Sequence, residues 1–276
     1  MVKPYCYYNG TIQPTVKVGL PLNDLGILRG YGVFDFLRTY NGKPFHLKDH
    51  FARFKNSARL FDLKVPITEK ECAAIIWSLM KKNKMEEASV RLVLTGGSSE
   101  NGILLSKIPS FFILMEDLYE FPTTVFQKGG KLITYEHDRL IPESKNLNYI
   151  SAVKLQAKKK QAGALEILYV SNDYISEAST SNIFMVKNGV LVTTKEGILA
   201  GITRKIVLAL AKKNMPVEER PIRLTELLKA DECFITATNK KITPIVKIDT
   251  AIIGNGRPGE YTKKLLSEFD TLIAKY

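Results

Sequence analysis

The stretch Pro142-Glu143-Ser144-Lys145-Asn146-Leu147-Asn148-Tyr149 decides how the chain is read. A loop-forming proline and serine precede one lysine. The run that follows, with Ile150, Val153, Leu155 and Ala157, has the spacing of an amphipathic helix reaching about Lys160. Lys145 is therefore expected where an irregular segment enters a helix, facing inward with the apolar residues. A buried ammonium loses proton affinity, because desolvation disfavours the charged form, and its amine becomes a usable nucleophile near neutral pH. Most lysines are solvated surface charges. What distinguishes this one has to come from the residues around it.

The 276 residues, 45% hydrophobic, are enough for one large core or two modest ones. No apolar run approaches the ~20 residues of a membrane span. The opening Met1-Val2-Lys3-Pro4-Tyr5-Cys6 lacks the apolar region of a secretory signal, so a cytoplasmic protein is expected. Cys6, Cys72 and Cys233 are too scattered for a disulfide framework or a metal site, and no metal is expected. The net charge of +12 gathers in Lys81-Lys82, Lys158-Lys159-Lys160, Lys212-Lys213 and Lys240-Lys241, mostly at expected helix ends and without interleaved aromatics. That argues against nucleic acid and for small anionic ligands.

Working outward, Tyr5 to Pro14 reads as two strands joined at Asn9-Gly10. Leu22 to Gly32 reads as a glycine-punctuated surface loop with no helix, leading into a strand from Val33 to Tyr40. His46 to Leu63 has helical spacing and carries Arg53, and Thr68-Glu69-Lys70-Glu71 is a capping box opening a second helix. Arg91 lies in the strand Ala88–Thr95, and the pattern restarts near Glu120. This predicts an α/β chain of two domains, 1–119 and 120–276. In the second half, Gly201-Ile202-Thr203 opens a helix whose free amides suit a phosphate.

The order of these features carries the functional reading. Gly30-Tyr31-Gly32-Val33-Phe34-Asp35-Phe36-Leu37-Arg38, His50-Phe51-Ala52-Arg53-Phe54 and Lys145-Asn146-Leu147-Asn148 come first. Ser176 to Phe184, Leu199-Ala200-Gly201-Ile202-Thr203-Arg204 and Ile242-Thr243-Pro244 follow. Together they resemble the class IV (fold type IV) enzymes that use pyridoxal 5'-phosphate (PLP). The resemblance runs essentially end to end. It implies a smaller N-terminal α/β domain, a larger C-terminal barrel-like domain, and a homodimer with active sites at the domain and subunit interfaces. It implies that Lys145 binds the cofactor covalently and moves the substrate proton, and that Glu177 pairs with the ring nitrogen. Arg53 would clamp the phosphate, with Ile202, Thr203 and Thr238 adding contacts, and Tyr149 would lie near the ring hydroxyl.

Within the family, D-amino-acid aminotransferases, L-branched-chain aminotransferases and aminodeoxychorismate lyases compete. Lys-x-Leu-Asn and the run Gly259-Glu260-Tyr261-Thr262-Lys263-Lys264 resemble the D-specific enzymes. The usual D-specific arginine and histidine after the fourth strand are replaced by Ser98-Ser99-Glu100-Asn101-Gly102. Arg29 and Arg91 are then the expected carboxylate ligands, with Tyr31 and the Thr238-Asn239 turn completing the substrate site. The apolar neighbours of Arg91 predict that it is buried and needs an anion. A non-catalytic binding protein is the reading from another class, and the joint presence of Lys145 and Glu177 argues against it.

Overall fold

Asn9 and Gly10 both take positive φ, 39° and 97°, and close the hairpin of β1 (Tyr5–Tyr8) and β2 (Thr11–Pro14) as the Asn-Gly pair predicts. The computed structural model describes residues 1–276, and the chain forms two units. Met1–Tyr119, Ser144–Tyr149 and Tyr276 make the first; Glu120–Glu143 and Ile150–Lys275 make the second.

In the first unit the hairpin is followed by α1 (Leu25–Arg29), β3 (Gly32–Tyr40), β4 (Lys43–Pro44), α2 (Leu47–Arg59), α3 (Glu69–Lys82), β5 (Ser89–Thr95) and β6 (Phe111–Glu116). The strands form one antiparallel sheet in the order β2-β1-β6-β5-β3-β4. Period-two alternation sends Val33, Asp35 and Leu37 of β3 beneath α2 and α3, where Phe51, Phe54, Ile76 and Leu79 close the core. The capping box at Thr68 and Glu71 forms as predicted.

The segment before β3 is not the plain surface loop expected from its glycines. Asp24 caps α1 by accepting from the Gly26 amide at 2.7 Å, and it also accepts from the Thr95 and Ser110 hydroxyls at 2.8 and 2.6 Å. Gly30 ends the helix in the left-handed region at φ 63°. An aspartate before the run and a glycine after it are the usual marks of a short helix, and only its brevity conceals them.

The second unit begins with α4 (Thr123–Lys128), β7 (Gly130–Glu136), α5 (Ile150–Lys154), α6 (Gln156–Gln161), β8 (Glu166–Ser171), β9 (Tyr174–Ala178), β10 (Asn182–Lys187) and β11 (Val190–Thr193). It continues with α7 (Ile202–Ala211), β12 (Val217–Glu219), β13 (Ile222–Arg223), α8 (Leu224–Leu227), β14 (Glu232–Ala237), β15 (Lys241–Ile248), β16 (Ala251–Ile252) and α9 (Glu260–Ala274). Its strands form a mixed sheet, β12-β11-β10-β14-β15-β7-β8-β9-β13, with β16 on β15, curved as a half-barrel. The pairs β15–β7, β7–β8 and β11–β12 are parallel. Ile183, Met185, Ile235 and Ile245 lie in its core. The single helix expected from Ile150 to Lys160 is instead two short helices broken at Leu155. No helix in the chain is long and apolar enough to cross a membrane.

Gly32 shows how closely the first unit is packed. A Cβ there would lie 2.7 Å from the Leu94 carbonyl oxygen and 2.8 Å from Cδ1 of Leu147. The carbonyl belongs to the sheet and cannot retreat, so the Leu147 segment must. Gly32→Ala should therefore cost about 1–3 kcal/mol, the usual penalty of overpacking, read as a lower urea midpoint at unchanged slope.

Candidate active site

Lys145 is held in the first unit by its backbone. Its carbonyl accepts from the Phe34 amide at 2.8 Å, and the Leu147 amide donates to the Gly32 carbonyl at 3.0 Å. Its own amide donates to Oγ of the buried Ser57 on α2, at 3.0 Å. Asn146 is buried and bridges Val33, and its Oδ1 accepts from the Asn148 amide. Lys145 therefore lies along the edge of β3 and not at a helix entrance. The next helix, α5, starts only at Ile150, and Ile150 and Val153 are 72% and 70% exposed where the spacing predicted burial. Strand pairing by residues 145–147 takes up the backbone groups that a helix would need.

The ring of Phe34 gathers three candidate residues. The Lys145 ammonium nitrogen lies 4.5 Å from its centroid, and the Tyr149 ring meets it edge-on at 5.5 Å. The Arg91 guanidinium lies 5.7 Å from the same ring and 5.2 Å from that of Phe36. Arg91 pairs in register with Phe36, so the three side chains share one face of the sheet. The expectation that Arg91 is buried does not hold, and the anion it needs comes from a residue distant in sequence. Arg91 faces away from the core and is one-third exposed. Glu116 on β6 takes its Nε at 2.7 Å and its Nη2 at 3.2 Å. The neighbours Val90 and Leu92 are buried because they point to the opposite face.

Arg53 also has a carboxylate partner inside the chain. Asp35, fully buried, takes Nε and Nη2 of Arg53 at 2.8 Å each and Nδ1 of His50 at 2.7 Å. Burial alone would raise the Asp35 carboxyl, but the Arg53 charge and the bonds from both partners outweigh it and hold it far below the usual carboxylate range. Burial pushes the His50 imidazole below its ordinary value in spite of the aspartate, so the ring is neutral at pH 7 and Asp35 selects its Nδ1–H tautomer. Arg53 thus reaches any anion already oriented by Asp35. Tyr31 donates its hydroxyl to the Phe61 carbonyl at 2.8 Å, and Arg29, exposed, donates to its neighbour Leu28.

In the second unit Glu177 on β9 is buried and ion-paired with Arg139. The Asn182 side-chain amide and the Leu199 backbone amide each donate to it at 3.2 Å. Asn182 also donates to the Leu199 carbonyl at 2.9 Å, tying β10 to the approach of α7. Ile202 and Thr203, both buried, form the first turn of α7, whose N-terminus has glycine and no side-chain cap. A Cβ on Gly201 would fall 2.0 Å from Oδ1 of Asn182, so only glycine fits. Thr238 and Asn239 lie in the β14–β15 turn, closed by the Lys240 amide donating to Ala237.

Arg139 and Asn182 were not singled out from the sequence. Asn182 falls inside a quoted motif, but nothing in the order of residues says that it reaches Glu177. Arg139 stands in an irregular stretch with no periodicity to mark it. Ser57 looks like one more small residue on a helix. Each unit by itself has parts that suit PLP: the first an amine on a fixed backbone, the second a buried carboxylate and an uncapped helix N-terminus for a dianion.

A family model described as amino-transferase class IV matches residues 32–248. The chain is 34% identical, over 98% of its length and 96% of the relative, to a protein of Methanocaldococcus jannaschii that carries the provisional name branched-chain-amino-acid aminotransferase. It is 35% identical to a D-alanine aminotransferase of Listeria monocytogenes serotype 4b (strain F2365), covering 90% of this chain and 89% of that one. Among solved structures, the T.th. branched-chain amino acid aminotransferase with pyridoxamine 5'-phosphate superposes with a TM-score of 0.91 at 25% identity, covering 99% of this chain and 95% of that one. The branched-chain amino acid aminotransferase of Escherichia coli gives 0.91 at 25%, covering 98% and 95%.

The Asp35 node makes stability depend on pH with a definite sign. His50 is depressed in the folded state, so the unfolded chain binds the extra proton; stability is present above the unfolded value near 6.5 and is lost as pH falls below it. Asp35 is also depressed, so a second loss begins below its unfolded value near 3.8. Unfolding free energy measured from pH 7.5 to 5 should fall, and His50→Asn should flatten that slope.

Proposed function

Because the chain belongs to the class IV aminotransferases, a family of PLP enzymes, we propose that it transfers the amino group between a D-amino acid and a 2-oxo acid. The observation that carries this reading is the placement of Arg91 and Lys145 on the one ring of Phe34. A guanidinium on the same aromatic face as the reactive amine is suited to an α-carboxylate, which it can hold by paired charge-assisted bonds. Glu116 keeps Arg91 neutralised until that carboxylate arrives, and a partly exposed pair of this kind exchanges partners at little cost. The names of relatives such as the Listeria enzyme agree with a D-substrate.

When bound, the cofactor supplies an electron sink that lets the amino-acid Cα lose its proton. The Lys145 amine takes that proton and returns it. Its fixed backbone limits the reach of the amine, which is what a stereospecific transfer needs. Glu177, its charge balanced by Arg139, would pair with the ring nitrogen. The first turn of α7 and the Thr203 hydroxyl would hold the phosphate, Arg53 would add a guanidinium to it, and Thr238 and Asn239 would serve the substrate side. Tyr149 orders Lys145 through Phe34, and Tyr31 and Arg29 border the carboxylate.

An L-branched-chain substrate is the second reading, favoured by the names of the M. jannaschii relative and of the matching structures. Purified enzyme given D- or L-alanine or L-leucine with 2-oxoglutarate as amino acceptor, or D- or L-glutamate with pyruvate as acceptor, with the donor's 2-oxo acid measured, separates the two. The D-reading expects turnover of the D-substrates and a KM raised about tenfold or more by Arg91→Ala for both, since both present an α-carboxylate. Inert D-substrates, with Arg91→Ala sparing L-leucine and weakening L-glutamate, would end it.

The working form is proposed to be a homodimer in a reducing compartment. Leu22, Ile27, Leu28, Ile103, Leu104 and Ile108 are exposed in the first unit, and Leu28 and Arg29 lie against Gly102. Apolar side chains in that density suit a second copy, and three free, buried cysteines suit a reducing compartment. Light scattering should give a dimer mass, reduced toward the monomer by the paired change Ile103→Asp with Leu104→Asp.

A further inference from the structure

Lys240 is an unusual lysine. It is only 8% exposed, and its ammonium donates to Oε1 of Glu166 at 2.5 Å, to Oγ1 of Thr180 at 2.6 Å and to Oγ of Ser181 at 3.4 Å. Glu166, 2% exposed on β8, collects the three side-chain hydroxyls and one backbone amide of the turn between β9 and β10. Its Oε2 accepts from Ser179 Oγ at 3.1 Å, from the Thr180 amide at 2.7 Å and from Thr180 Oγ1 at 2.9 Å, and Ser181 Oγ donates to Oε1. Burial by itself raises the Glu166 carboxyl, but the Lys240 charge and these donors bring it below its ordinary value, so the pair is ionic.

The pair brings the β14–β15 turn to β8 and the β9–β10 turn from far along the chain, and the two turns adjoin or carry residues assigned above. The turn gripped by Glu166 runs from Ala178 to Ser181, between Glu177 and Asn182, which bond to each other. Lys240 closes the β14–β15 turn by its amide to Ala237 and by its carbonyl, which accepts from Thr243 Oγ1 at 2.6 Å. Thr238 and Asn239 are the middle of that turn. One buried ion pair thus ties the Thr238-Asn239 turn to the Glu177–Asn182 pair.

We propose that Lys240 and Glu166 are a positioning pair that sets the spacing between the substrate-side turn and the carboxylate for the ring nitrogen, and so tunes which carboxylate ligands the site accepts. This rests on the assignment of Thr238 and Asn239 to the ligand. Lys240 does not grip the ligand itself, because its three N–H groups point at Glu166, Thr180 and Ser181. Stability alone does not account for the pair, since well-packed apolar residues commonly replace a buried ion pair without loss. What such residues cannot do is fix two turns at one separation through directed bonds.

The test compares Lys240→Met, Glu166→Gln, the double variant and Thr238→Val, reading the Kd of the apoprotein for PLP by equilibrium dialysis, KM and kcat with pyruvate, and Tm. Lys240→Met strands a buried carboxylate and should lower Tm, whereas the double variant is neutral and should recover most of that loss. The double variant should still bind PLP about tenfold more weakly or raise KM about tenfold, with kcat changed less than about threefold. Recovery of Kd and KM to wild-type values together with Tm makes the pair merely structural and overturns the proposal, as does a double variant that does not fold. Thr238→Val without effect on Kd or KM refutes the assignment of the turn itself, and the proposal with it. Thr238→Val weakening the ligand while the double variant does not would leave that assignment standing and refute only the pair.

Discussion

Everything at the candidate site of the first unit depends on a two-residue strand pairing: Phe34 donating to Lys145, and Leu147 donating to Gly32. Unpaired backbone groups in a buried setting cost free energy, so this short ladder makes one backbone path for residues 145–147 much more favourable than any other. The approach is possible because β3 begins with a residue that has no Cβ. A flexible four-carbon amine on an immobile backbone is confined to a small volume above Phe34.

The second constraint is charge. Among the residues discussed above, Asp35 pairs with Arg53, Glu116 with Arg91, Glu177 with Arg139, and Glu166 with Lys240. Asp35, Glu166 and Glu177 are buried, and a buried charge left alone costs several kcal/mol. The consequence for chemistry is orientation. Arg53 and Arg91 each have part of their donor set fixed by a carboxylate, so less side-chain freedom is lost when they bind an anion.

Much of the fold was legible. Asn9-Gly10 marks a turn because both residues tolerate positive φ, and the Thr68–Glu71 box marks a helix start because its bonds are local. The family resemblance, and with it the PLP chemistry, was legible from motif order. Long-range partners were not. Arg91 reads as buried from its neighbours, yet alternation sends it outward, and only the β5–β6 pairing brings Glu116 beside it. The apolar spacing after Tyr149 resembles one helix, yet residues 145–147 are committed to β3 and the helix is late and broken. Lys240 reads as half of a surface pair with Lys241. Lys241 does bond an exposed aspartate, Asp270, while Lys240 turns inward to Glu166. Adjacent residues at a turn face different ways, and composition cannot say which is which.

The parallel pairing of β7 has a consequence for how the chain is made. β7 lies between β8 and β15, and its first residue, Gly130, pairs with Ile245. During synthesis from the N-terminus, one edge of β7 must stay open until nearly all of the second unit has left the ribosome. At roughly 5–20 residues per second this leaves an unpaired, apolar strand exposed for several seconds. The first unit waits about as long, since the edge of β3 is covered only when Ser144–Tyr149 emerges. Non-local closure of this kind slows folding and favours wrong pairings in the interval. The pairing that holds the lysine still in the finished protein is therefore also one of two that leave a strand edge of the growing chain open to aggregation.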